Sequence, residues 1–159
     1  MFLWLIGQHN VMSNVGRVRQ HLSDDSSCGL CDAAMEDINH IFCFSPMDIL
    51  ICVEFVRLDK ITDFFGLNMH DWLVANLVHD SCVAKGNIQW DIMLGSLVWN
   101  IWIQINMSSF ESFVHYRESI MVRSHWLSEE MCSMVRVLHS LAPSLAHVVS
   151  HCFLWWGDT

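Results

Sequence analysis

Trp90-Asp91-Ile92-Met93-Leu94-Gly95-Ser96-Leu97-Val98-Trp99-Asn100-Ile101-Trp102-Ile103-Gln104-Ile105 is the stretch that decides the fold class. Leu94, Leu97, Val98, Ile101 and Ile105 recur at i, i+3, i+4, i+7 and i+11, the spacing of one face of an α-helix. Trp99 and Ile103 make the opposite face apolar too, and a helix that is apolar all round belongs inside a core or an interface. Ser96, Asn100 and Gln104 interrupt the run, which also falls short of the roughly 20 apolar residues needed to span a bilayer. The stretch reads as the buried helix of a mainly α protein, with no membrane span.

Downstream, Ser108-Ser109-Phe110-Glu111 has the form of a capping box, a Ser followed three residues later by Glu. The helix it would open carries apolar residues seven apart at Phe113, Ile120, Leu127, Met134 and Leu141, interrupted by Arg117, Ser124 and Ser128. That pattern predicts one long amphipathic helix, either packed on its neighbour or forming a coiled-coil seam. Pro143 limits it, and the His- and Trp-rich tail reads as no definite element. Upstream, Asp63 to Leu77 reads as two short helical pieces split near Gly66–Asn68, and Ile49 to Leu58 as a helix. Asp37 to Phe44 reads as a short helix that Pro46 should end or offset. Val78 to Gln89 reads as a polar loop. Three regions are expected: 1–60, a small part that the spacing Cys28-x2-Cys31 with His40 makes zinc-knuckle-like; 61–145, a helical part; and 146–159, a poorly defined tail.

Composition bounds the function. The chain has 159 residues, 53% hydrophobic and 16% charged, with eight Trp and a formal net charge of −9. So apolar a chain is not a disordered tail. A surface this poor in charge is expected to be sticky, which points to a fragment or a partner-bound chain. Residues 24–80 carry −9, residues 81–159 carry −2, and residues 1–23 carry +2 from Arg17 and Arg19. The acidic balance argues against a protein held on nucleic acid by phosphate contacts, and leaves Arg17 and Arg19 as the small exception. The apolar opening, Met1 to Gly7, has no positive n-region and no small-residue cleavage site. Seven Cys without a secretion signal then imply a reducing compartment, nuclear or cytoplasmic.

In such a compartment a Cys cluster means metal or simple burial. Cys28-x2-Cys31-x8-His40-x2-Cys43 offers two thiolates from one tight turn, with Gly29 easing the backbone, and two further donors three apart on one helix face. Such a site can stabilise a region too small to fold on its own core. The alternative is a pair of buried thiols with a surface His. Cys52, Cys82, Cys132 and Cys152 have no metal spacing and read as small apolar side chains.

The residues around this motif form an ordered series: Phe2-Leu3-Trp4-Leu5, Arg17-Val18-Arg19-Gln20-His21-Leu22, Asp24-Asp25-Ser26-Ser27-Cys28-Gly29-Leu30-Cys31, Glu36-Asp37-Ile38-Asn39-His40-Ile41-Phe42 and Ser45-Pro46. The series resembles the zinc-binding domain of plant non-LTR (LINE-type) retrotransposon polyproteins, which lies between the reverse transcriptase and a C-terminal ribonuclease H domain. The resemblance covers roughly residues 2–55. It continues more loosely through Phe64-Phe65 and Asp71-Trp72-Leu73 to Trp90, Trp99 and Trp102, similar to the linker toward ribonuclease H. It implies one zinc ion held by Cys28, Cys31 and His40. The family's fourth ligand, a Cys directly before the Pro, is Ser45 here. Cys43, a water, or no metal at all remain the alternatives at that position.

The parent polyproteins polymerise and cleave nucleic acid, but neither catalytic domain is expected in this chain. No Gly-x-Ser-x-Gly, Gly-x-x-x-x-Gly-Lys-Ser/Thr or His-Glu-x-x-His occurs. His125 with Glu129 or Glu130 reads as an exposed helix pair rather than an acid–base couple. The expected function is a non-catalytic zinc-binding accessory module with weak nucleic-acid contact near Arg17 and Arg19. The alternatives are a helical module for a protein partner or self-association, and a decayed retroelement fragment without a selected function.

Overall fold

The computed structural model describes residues 2–8, 10–77, 83–86, 88–110 and 117–141. The protein is mainly helical, as the periodicity implies, and no strand occurs among the described residues. Seven α-helices follow in order: α1 (Phe2–Gly7), α2 (Asn14–Arg19), α3 (Pro46–Phe55), α4 (Ile61–Phe65), α5 (Met69–Leu77), α6 (Trp90–Phe110) and α7 (Arg117–Leu141). A π-helical turn at His40–Phe44 precedes α3, and a 3-10 turn at Leu58–Lys60 precedes α4. Among the described residues no helix is long and apolar enough to cross a membrane.

Local sequence explains most boundaries. Ser45 caps α3 by accepting from the Asp48 N–H at 3.2 Å, and Pro46 follows in the first turn, where a missing N–H costs nothing. Pro46 thus both ends the π-turn and starts a helix. The break between α4 and α5 falls at Gly66, where a Cβ would come within 2.9 Å of the Thr62 carbonyl oxygen. Asn68 then opens α5, its side-chain oxygen accepting from the Asp71 N–H at 3.0 Å and its amide donating to the Asp71 carboxylate at 2.6 Å. Residues 78–82 and 87, half of the expected polar loop, lie outside the described residues; Ala84 in the described part forms one antiparallel bridge with Val56.

α6 is the axis of the molecule. Met93, Leu94, Leu97, Val98 and Ile101 are all buried and join Ile6, Ile41, Phe42, Ile51, Val56, Trp72 and Ile120 in a single core. That core draws on residues from both sides of position 60. Phe64 packs against Trp72 and Trp90 with centroids 5.2 Å and 5.9 Å away. The Trp90 indole N–H donates to Asn76 at 3.0 Å, so the buried ring keeps its polar end paired. Phe2 of α1 sits against Trp99 and Trp102 at 5.0 Å and 5.1 Å.

The α6–α7 contact departs from the sequence reading in two ways. First, Ser108–Phe110 continue α6, so Ser108 does not open the next helix; Glu111 and Phe113 lie outside the described residues. Second, the buried side of α7 follows the apolar heptad only in part: Ile120 is buried and Leu127 half-buried. Met134 is 54% exposed, while Ser124 and Ser128, two of the apparent interruptions, are buried. The stripe Ile120–Ser124–Ser128 has spacing i, i+4, i+8 and faces the polar residues of α6. Asn100 donates to the Ser96 carbonyl at 2.8 Å and to the Ser124 hydroxyl at 3.2 Å. The physical reason is polar matching: Ser96 and Asn100 lie buried on α6, and the small Ser124 side chain on α7 accepts from Asn100 and donates to the Ser96 carbonyl at 3.4 Å.

Candidate metal centre

The N-terminal third of the chain builds its site from a loop and a turn. Cys28–Ala33 is a tight loop, closed by Asp32 N–H to the Cys28 carbonyl and Cys28 N–H to the Ala33 carbonyl, both at 2.9 Å. Its left-handed residue is Asp32, at φ 56°, and a Cβ at Gly29 would meet nothing within 4 Å. Gly29 is therefore not the residue that eases this turn. Asp32 supplies the unusual backbone, as a short polar side chain tolerates it best after glycine.

Glu36 ties the loop to the rest of the fold. It is buried; its N–H donates to the Ser26 carbonyl at 2.8 Å, its carbonyl accepts from Val15 at 3.1 Å, and its carboxylate accepts from the Asn14 N–H at 3.2 Å. Asp37 then fixes the entry to the π-turn by accepting from the His40 N–H at 2.8 Å.

These contacts bring Cys28, Cys31 and His40 together. Their donor atoms lie within 4.8 Å of one another, with Cys31 Sγ 3.3 Å from His40 Nε2. Cys28 is buried, and Cys31 and His40 are half-buried. Burial pushes the Cys28 thiol up to about 11, and the nearby Glu36 carboxylate adds to the shift. Two thiols and an imidazole at this separation are a donor set that can close on one metal ion, and the cation would favour the thiolate that burial opposes.

Cys43 does not join them. Its side chain is 1% exposed, packed into the core, and burial with the Asp48 and Asp37 charges pushes it up to about 12. The cause is the turn that carries it. The Ser45 N–H reaches back five residues to the His40 carbonyl at 2.8 Å, the wide π geometry rather than an α-turn. In the wider turn each residue advances through a smaller angle, so i and i+3 no longer share a face. His40 turns to the Cys loop and Cys43 to the core.

Ser45 is buried beside the same group. Its hydroxyl hydrogen-bonds the Asp48 carboxylate, which burial raises to about 8, with Glu36 raising it further against that hydrogen bond. Cys28, His40, Glu36, Ser45 and Asp48 line a cavity of about 20 Å³ whose far wall is α6. Sequence reasoning passed over Glu36, Asp48 and Gln104, which reach this place from three separate elements.

Arg17 and Arg19 lie in the last turn of α2. Arg19 is exposed, whereas Arg17 is half-buried and lines a groove with Asp25 and Glu36. The positive stretch of the sequence is thus faced by acids in space.

The chain is 31% identical over 101 residues to a protein of Arabidopsis thaliana named as a ribonuclease H protein, a match that covers 64% of this chain and 16% of that relative. No family model matches the chain. No solved structure is significantly similar to it.

Proposed function

We propose that this chain is a non-catalytic zinc-binding module of a retroelement-derived polyprotein. The observation that carries this reading is the convergence of Cys28, Cys31 and His40 from a loop and a separate turn onto one point. The similarity to a plant protein named for ribonuclease H supports the retroelement origin. Zinc is the metal we assign, because two thiolates with an imidazole suit it better than the harder divalent ions. Bound there, the ion would tie the Cys28–Ala33 loop to the π-turn and so to the core beneath α3. Nucleic-acid contact is assigned to Arg17 and Arg19, and is weak because Asp25 and Glu36 share the groove with Arg17.

Metal analysis of the reduced, full-length chain tests the reading. One zinc per chain is expected, lost in Cys28→Ser and in His40→Ala. Wild-type protein without stoichiometric zinc, or indifferent to chelator in its folding, overturns it.

A specific feature favours a second reading, a helical interaction module. Val122, Trp126, Met134 and Val137 fall on one side of α7 and are 52–68% exposed. An apolar stripe on an otherwise polar helix face marks a contact surface. Light scattering decides this: concentration-dependent assembly broken by Trp126→Asp supports it, and a monomer at all concentrations opposes it.

A further inference from the structure

The cavity behind the cysteine group has an unusual wall. Gln104 of α6 is 5% exposed, lines this space, and neither its amide oxygen nor its amide nitrogen has a hydrogen-bond partner. Buried side-chain amides are almost always paired, and one with both ends unmet points to an ordered water or ion beside it. The space measures about 20 Å³, enough for one water molecule. Its wall is mostly apolar, with Ile41, Ile101, Ile105 and Ile120, but Gln104, the Ser45–Asp48 pair and Glu36 also line it and are the polar partners a buried water needs. Cys28 and His40, two of the three converged donors, open onto it, and Cys43 does not.

We propose that this cavity holds one water that completes the shell of a metal ion at Cys28, Cys31 and His40, fixed by Gln104 and the Ser45–Asp48 pair, with Cys43 taking no part. The inference rests on the metal-binding reading above. Its logic is replacement. Ser45 lines the cavity that Cys28 and His40 share, but spends its hydroxyl on Asp48 and on the cap of α3. Three protein donors leave one tetrahedral position, and this small cavity, its apolar wall broken by a few polar groups, is the size of a single oxygen ligand. The site is then held by two sulfurs, one nitrogen and one oxygen, with an orienting outer layer from α3 and α6.

X-ray absorption on the full-length chain loaded with Zn2+ or Co2+ under reducing conditions reads the shell directly. Two sulfurs at about 2.3 Å and two lighter atoms at about 2.0–2.1 Å are expected. Cys43→Ser should leave shell and stoichiometry unchanged, and Ser45→Cys should convert the shell to three sulfurs and one nitrogen. Gln104→Leu should weaken Co2+ binding by about 10-fold to 100-fold, the usual effect of losing an outer partner. Glu36→Gln and Asp48→Asn should keep the Co2+ spectrum. Three sulfurs in the wild type, one of them lost in Cys43→Ser, overturn this inference and leave the metal reading standing. A carboxylate variant that loses the wild-type spectrum, or a Gln104→Leu protein with unchanged affinity, likewise overturns it. Wild type that binds neither metal overturns both.

Discussion

At the residue scale, chemistry and position separate two cysteines that look alike in the sequence. Cys28 and Cys43 are both buried, and burial raises both thiols, but only Cys28 faces other donors. Their substitutions should therefore differ in kind. Cys28→Ser should abolish stoichiometric metal binding, whereas Cys43→Ser should keep the metal and cost about 1–3 kcal/mol of stability by burying a hydroxyl in an apolar place, read by denaturant unfolding. Because a raised thiol must lose its proton to bind, metal affinity should fall as pH falls, with proton release seen by calorimetry in buffers of different ionisation heat. Asp48 gives a second pH dependence, in the metal-free protein. Its carboxyl titrates near 8 when folded, against about 3.8 when unfolded. Above pH 4 the unfolded chain gives up this proton while the folded chain keeps it, so the folded state binds more protons and stability falls as pH rises from about 4 to 8. Asp48→Asn should flatten that slope in thermal melts across the window.

At the element scale, the helices with apolar spacing form as their pattern implies, and the surprises lie at the joints. The split near Gly66 is legible because a glycine before an Asn cap announces it. The π-turn is not, since nothing in His40-Ile41-Phe42-Cys43-Phe44 distinguishes a wide turn from an α-turn; the capped start of α3 at Ser45–Pro46 imposes it. The α6–α7 seam shows the same limit. Counting apolar residues at seven-residue intervals selects Met134, which is exposed, but the partner helix presents Ser96 and Asn100, and their hydrogen bonds with Ser124 hold that side chain inward. Ser124→Leu should then destabilise the fold by about 1–3 kcal/mol through overpacking, and leave Asn100 without one of its partners. Met134→Lys, at an exposed site on the same helix, should change stability by less than about 0.5 kcal/mol. Paired denaturation curves check both, and equal effects would put the heptad face back against α6.

At the scale of the whole molecule, one core links the cysteine loop region to the long helices. Trp72 is fully buried and Phe64 packs edge-on against it, so Trp72→Ala should cost about 3–5 kcal/mol and lower the melting of the chain. The sequence by itself determined the mainly helical class, because spacing along a chain is set by the geometry of the helix and needs no partner to be read. It also determined the candidacy of Cys28, Cys31 and His40, because thiols three positions apart with a nearby imidazole are local chemistry. Only the tertiary structure decided that Cys43 does not lie with them: it is buried in the core, while Ser45, two residues on, lines the cavity that Cys28 and His40 share. Glu36, Asp48 and Gln104 meet there from a loop, α3 and α6, separated by up to 68 positions in the chain. Burial, and the pairing that buried polar groups require, are properties of the packed molecule, so no local pattern could announce that cavity.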